Sequence, residues 1–254
     1  MSRLRALLVA LGVIVPAVSA RAANCPRAEA LGVAREMAIE VGAEGLFVGT
    51  KSYPRSLPLD DHEIVLTFDD GPAGRTTDAV LAALAAECTR ATFFVVGEMA
   101  ASHPDQLRRM AAAGHTIGHH SMTHVIMNTV PFERGRADIE TGWHTVDRIL
   151  TAATPERPAT PFFRFPGFAP TKELSRLMVE RRVAVFGADF WGSDWTPSTP
   201  EALLAQVLAR VEARGRGILL LHDIHAHTAA MVPALLRELK ARGYRVVHLV
   251  PAKA

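Results

Sequence analysis

"IVLTFDDGP", residues 64–72, decides how the chain is read. An apolar, β-branched run ends on two adjacent carboxylates, Asp69 and Asp70, followed by Gly71 and Pro72. Asp-Gly-Pro is ordinary turn chemistry, so one reading is a strand leaving the core at a surface turn. Two like charges side by side repel, however, and each tends to raise the other's pKa unless something positive is near. The other reading is a metal or catalytic site at a strand end. What the chain places at the ends of its other strands separates the two.

From His62 onward the pattern alternates. Runs at 64–68, 92–96, 115–118, 162–165, 183–188, 217–221 and 244–249 read as strands. Stretches at 77–87, 105–113, 133–152, 172–181, 200–214 and 229–242 carry apolar residues at helical spacing. Thr77-Asp78 and Thr199-Pro200-Glu201 look like helix caps. Strands and helices in strict alternation imply an α/β fold with a parallel sheet under helices. Apolar runs such as "GILLL" (217–221) fit strands buried on both faces. The length suits a closed or nearly closed barrel of about seven parallel strands, with an open doubly wound sheet as the alternative.

In either fold the functional face lies at the C-terminal ends of the strands. There the sequence puts Asp69 and Asp70; His119, His120 and His124; Arg164 with Pro166 and Gly167; Asp189, Asp194 and Trp195; and His222 with Asp223. A surface turn does not explain that clustering. "HSMTH" (120–124) sets two histidines at i and i+4, which a helical turn would align on one face. With a carboxylate from the first strand they make a two-His, one-carboxylate site for a divalent ion. Zinc is favoured, and cobalt, iron or manganese stay open. One aspartate then ligates while its neighbour serves as a base, and the cation offsets their repulsion.

"TFDDG", "HSMTH", "RFPG", "DFWGSDW" and "LLLHD" together resemble the ordered motifs of the polysaccharide deacetylases, carbohydrate esterase family four, with its NodB-homology domain. The resemblance covers roughly residues 62 to 250. It implies a distorted (β/α) barrel and metal-dependent removal of acetyl groups from an acetylated polysaccharide or oligosaccharide, with release of acetate. It also implies Asp69 as general base, Asp70, His120 and His124 as metal ligands, and Arg164 as the partner of Asp69. His222 becomes the general acid, held by Asp194; Trp195 and Leu220 line the acetyl pocket; a backbone N–H near Gly167 faces the oxyanion. Many relatives carry an aromatic residue where this chain has Gly167, with Phe168 following.

Other polar residues near the motifs have simpler readings. His119 is set aside as a neighbour that points elsewhere, and Trp191 is undecided. His225 and His227 are read as a solvated loop, Asp189 as a supporting partner or strand cap, and Asp223 as structural. Two other functions share the motifs: a catalytically silent glycan-binding homologue, and a metal-dependent hydrolase of a different bond such as a cyclic amide or a sugar O-acetyl ester.

The rest of the chain bounds the setting. At 254 residues, 49% hydrophobic and 21% charged, it has material for one sizeable core. "MSRLRALLVALGVIVPAVSARA" (1–22) has the layout of a secretory signal peptide. Its apolar run, about fourteen residues, is short for a span of roughly 20, so no stable membrane anchor is expected. The formal net charge of +2 falls to 0 without Arg3 and Arg5, and to −1 if Arg21 also leaves, which argues against a nucleic-acid partner. Export to the periplasm or beyond permits a disulfide between Cys25 and Cys88, the two cysteines. Residues 23–60 read as an N-terminal extension packed on a catalytic domain at 61–254.

Overall fold

The structure, a computed structural model, describes residues 29–151 and 158–252. Two short strands, β1 (Arg35–Ile39) and β2 (Leu46–Val48), precede the predicted series. That series opens with β3 (Glu63–Asp69), α1 (Arg75–Ala86), β4 (Thr92–Val95), α2 (Gly97–Ser102) and α3 (Pro104–Ala112). It continues with β5 (Thr116–His119), α4 (Phe132–Thr151), β6 (Phe162–Phe163) and α5 (Lys172–Glu180). It closes with β7 (Ala184–Phe186), β8 (Phe190–Trp191), α6 (Pro200–Arg214), β9 (Gly217–His222), α7 (Ala226–Ala241) and β10 (Arg245–Pro251).

All strand pairings are parallel. Neighbours run β3–β4–β5–β6–β7, while β9 pairs with both β3 and β8. Residues 187–189 join β7 directly to β8, so one stretch of chain bonds to β6 at its start and to β9 at its end. The ring therefore closes through a single bent strand, a distorted (β/α) barrel. The segment before residue 61 adds to the sheet: β1 lies beside β10 with Arg35 opposite Val247, and β2 beside β7 with Leu46 opposite Ala184.

Side chains alternate across a strand, so each strand feeds two cores. From β3, Ile64, Leu66 and Phe68 join Leu219 and Leu221 of β9 under α1, α6 and α7. Val65 faces inward with Phe94, Phe162, Phe186 and Ile218. The same parity carries Thr67 and Asp69 inward on β3, and Leu220 and His222 inward on β9. Thus an apolar strand places its few polar residues at the mouth of the barrel.

Two helix starts were predicted from caps. Thr199 does cap α6, its hydroxyl accepting from Ala202 N at 3.2 Å. α1 instead starts at Arg75 after Gly74, and Thr77 lies inside it, buried. The Thr77 hydroxyl bonds the Asp223 carboxylate and accepts from Ala73 N at 2.8 Å, so the site rather than the helix end uses it. The proposed signal peptide (1–22) and Cys25 lie outside the described residues; Cys88, just beyond α1, is not free. No helix among the described residues is long and apolar enough to cross a membrane.

A buried pair of imidazoles sits between β5 and β10. His115 Nδ1 accepts from Ala91 N at 3.2 Å, and His248 Nε2 lies 3.2 Å from the Thr116 hydroxyl. Burial, then the charges of His248 and Arg90, push His115 down to about 4. Burial, then Arg90, does the same to His248, also about 4. Below about pH 6.5 the unfolded chain takes up protons that the folded chain refuses until about pH 4. Stability present at pH 7 is therefore lost across that window, on the order of 3 kcal/mol for each imidazole at the limit. The urea midpoint of the purified protein should drop between pH 7 and pH 4.5. Asp223, raised to about 7, opposes that drop, so the check compares wild type with His248→Gln, whose midpoint should fall less over this window; an equal fall would mean that His248 is protonated in the fold.

Candidate active site

Parity explains most of the site. β6 and the two residues after it alternate: Phe162 inward, Phe163 outward, Arg164 inward and Phe165 outward. Arg164 is fully buried inside the barrel. Its guanidinium donates to Asp69 Oδ1 at 2.7 Å, Thr67 Oγ1 at 2.9 Å, Gly187 O at 2.8 Å and Phe186 O at 3.2 Å. It also lies 4.2 Å above the Phe94 ring. Such a fixed donor array leaves Asp69 one constrained oxygen and one, Oδ2, turned to the mouth.

Asp70 breaks the alternation. Its φ of 76° is a left-handed backbone that Asp tolerates better than most residues. Asp70 thus meets the mouth instead of following Phe68 outward. The next residue must be glycine: a Cβ on Gly71 would sit 2.1 Å from Asp223 Oδ2. Asp223 accepts from Gly71 N at 3.1 Å and from the Thr77 hydroxyl, so it anchors this loop, a structural role. Burial is the main force pushing Asp223 up to about 7, and the Asp70 charge adds to it.

"HSMTH" is a loop rather than a helical turn. Ser121 and His124 have φ of 65° and 58°, which no α-helix holds. Asp138 of α4 pins the loop, accepting from Met122 N (3.0 Å), Thr123 N (3.1 Å) and Thr123 Oγ1 (2.7 Å). The helix approaches so closely that a Cβ on Gly142 would fall 2.5 Å from the Ser121 carbonyl carbon. His120 faces inward and His124 swings back to it, their ring centroids 5.0 Å apart. His119, of opposite parity, points outward and lies 3.9 Å from Asp147 of α4.

Ligand atoms of Asp70, His120 and His124 lie within 4.8 Å of one another. Asp70 Oδ1 is buried without a hydrogen-bond partner, yet it faces His124 Nε2 at 3.3 Å and His120 Nε2 at 3.5 Å. His120 Nδ1 donates to Arg164 O at 2.7 Å, and burial lowers the pKa of this imidazole. Its Nε2 is then an unprotonated acceptor aimed at an acceptor. A divalent cation between the three groups resolves that conflict, and two imidazoles with one carboxylate suit zinc.

On the opposite wall, His222 Nδ1 donates to Asp194 Oδ1 at 2.9 Å, and His222 N donates to Asp194 Oδ2 at 2.7 Å. Thr228 Oγ1 and His227 Nε2 complete the cradle, bonding Asp194 Oδ2 at 2.8 Å and Asp194 O at 2.7 Å. Burial pulls the His222 imidazole down, but the Asp194 hydrogen bond and charge, with Asp69 and Asp70, outweigh it and hold the group at about 9. Its Nε2 lies 4.0 Å from Asp70 Oδ2.

These groups open into one cavity of about 430 Å³ whose walls include Trp195, Leu220, Gly167 and Phe168. Trp195 stands edge-on to His222 at 5.8 Å and is half exposed. Gly167, with φ of 60°, lies in a 3₁₀ turn closed by Phe168 N to Phe165 O and Ala169 N to Pro166 O, which leaves its own N–H outside the turn's bonding. The cavity also takes in one residue that the sequence left undecided, one read as solvated and one not singled out. Trp191 and His225 line it, as does Lys51 from the segment before β3. His225, read as a solvated loop residue, meets His222 edge-on and stacks on His227. No local sequence signal marks Asp138 or Lys51, since each matters only through a distant loop.

With this geometry, comparison with known proteins is specific. Residues 57–182 match the polysaccharide deacetylase family. Over 165 residues the chain is 35% identical to the chitooligosaccharide deacetylase of Rhizobium leguminosarum bv. trifolii, an alignment covering 65% of this chain and 73% of that one. The chain belongs to the polysaccharide deacetylase family. The chain is also 31% identical over 184 residues to the peptidoglycan-N-acetylglucosamine deacetylase of Bacillus cereus, covering 70% of this chain and 66% of that one. The solved peptidoglycan deacetylase of Bdellovibrio bacteriovorus superposes with a TM-score of 0.74 at 36% identity, over 86% of this chain and 59% of that one. The family match ends at residue 182, before Asp194 and His222.

Proposed function

We propose that this chain is a metal-dependent N-deacetylase of an acetylated glycan, with chitooligosaccharide or peptidoglycan-like chains as the substrate class. One observation carries the reading: two proton-transfer groups, each oriented by a buried partner of opposite charge, flank a three-ligand cluster in one cavity. Asp69 is held by Arg164 at 2.7 Å and His222 by Asp194 at 2.9 Å. Asp70, His120 and His124 would hold the cation, zinc first and cobalt second. When bound it would polarise the acetyl carbonyl and acidify a neighbouring water.

The protein's own groups do the rest. Asp69 Oδ2 takes the proton of the attacking water, because Oδ1 is committed to Arg164. The Gly167 N–H, free of the 3₁₀ turn's own bonding, would donate to the developing oxyanion. His222 Nε2 gives its proton to the amide nitrogen as the C–N bond breaks, and acetate and a free amine leave. Trp195 and Leu220 shape the space for the methyl group. Residues 61–254 are taken as the catalytic domain, with the segment before it contributing β1, β2 and Lys51, and such a substrate agrees with an exported protein.

Acetate release from N-acetylated chitooligosaccharides and from peptidoglycan fragments tests the reading. Release should stop on chelation and return with zinc. Release indifferent to chelation would overturn the metal dependence, and release from O-acetyl esters alone would overturn the amide specificity.

A further inference from the structure

We propose that Lys51 selects glycans carrying a carboxylate, pairing with it beside the acetylated sugar; this rests on the deacetylase reading above. Lys51 belongs to the segment before β3, ahead of the residues matched to the family. Its backbone is fixed in place. Lys51 N donates to Ala188 O at 2.8 Å, and Ser52 N and Tyr53 N donate to Gly49 O at 3.1 and 3.0 Å. Asp189, buried, accepts from Thr50 N and Thr50 Oγ1 at 2.9 Å, from Ser56 Oγ at 2.5 Å and from Ile218 N at 2.8 Å. The supporting role expected of Asp189 is therefore to tie this loop to the barrel wall.

The side chain is placed as well. Its ammonium lies 4.8 Å from the centroid of Trp191, and the Arg210 guanidinium lies 5.8 Å from the same ring. Arg210 is itself committed, donating to Trp191 O and to Ser193 Oγ at 2.9 Å. The ring thus serves as a platform for a cation rather than a free stacking face for a sugar. Among the described residues Lys51 makes no ion pair, and it is the one lysine or arginine lining the cavity. The floor of that cavity holds Asp69, paired with Arg164, and Asp70, committed to the proposed cation, and neither offers an acidic chain a counter-charge. A pre-positioned ammonium at the wall gives such a chain a counter-charge at little entropic cost.

The test compares two glycan fragments that differ only in one group. In the first, the sugar next to the N-acetylated one bears a free carboxylate; in the second that carboxylate is the amide. Wild-type protein should favour the acid form by about tenfold in kcat/KM, through KM, and lose that preference as salt rises. Lys51→Gln should bring the acid-to-amide ratio near one, Lys51→Glu should invert it, and Lys51→Arg should keep it. A ratio in Lys51→Gln equal to wild type overturns the proposal. A third fragment, with the sugar carboxylate amide-linked to a short peptide, separates the two sources of charge. If it is favoured like the free acid, the recognised carboxylate is on the peptide and the sugar-borne assignment falls. If no fragment releases acetate, the deacetylase reading fails. Calorimetric binding of the acid and amide fragments to wild-type and Lys51→Gln protein then decides Lys51 separately.

Discussion

Asp69→Asn and Asp70→Asn should both lose acetate release, and only the second should lose the metal. The two carboxylates are adjacent in sequence but differ in every physical respect. Asp69 is buried, follows the strand's parity, and spends Oδ1 on Arg164. An asparagine there can keep its oxygen on the Arg164 guanidinium and turn its amide to the mouth, so shape and hydrogen bonding survive. What disappears is the proton acceptor, worth about 10²–10⁴ in rate for a positioned base. Asp70 is the carboxylate whose buried Oδ1 lacks any partner and faces the Nε2 atoms of both histidines. Its amide would offer one neutral oxygen in place of an anionic one, and affinity for a divalent ion would fall steeply. Metal content of the dialysed variants, read beside acetate release, separates the roles. Zinc retained in Asp70→Asn and lost in Asp69→Asn would exchange them.

How much of this was legible in the sequence follows from where each feature's cause lies. β9 reads plainly because five of its six residues are buried, and a run of that kind admits few other interpretations. β1, β2 and β8 do not, since each is held by a partner far along the chain, as Leu46 is by Ala184 and Phe190 by Leu219. The outward direction of His119 was readable from period two once His120 was taken inward. The conformation of "HSMTH" was not. Spacing of i and i+4 suits a helix, but Asp138 holds the loop open and positive φ at Ser121 and His124 turns the second imidazole back. Lys51 was illegible for the same reason at longer range: its place in the cavity depends on Asp189, more than a hundred residues later.

His222→Gln should separate amide from ester. An amide cannot expel its nitrogen as an anion, so the leaving group needs a proton as the C–N bond breaks. An activated acetate ester expels a stable oxyanion and needs little help. Glutamine keeps much of the volume of His222 and can still bond Asp194, but it has no proton to give. N-acetyl hydrolysis should fall about 10²–10⁴ while hydrolysis of an activated acetate ester falls far less. Equal losses on both would make His222 a positioning group. Asp194→Asn adds a readout that mere disruption would not reproduce. The Asp194 hydrogen bond and charge are what lift His222 to about 9 against the pull of burial. Without that negative charge the imidazolium is less favoured, so the proton is lost at lower pH. The alkaline limb of N-acetyl hydrolysis should therefore move toward neutrality in Asp194→Asn, while the acid limb, set by protonation of the base, stays near its wild-type place. An alkaline limb that did not move would show that His222 does not carry the proton delivered to the leaving amine.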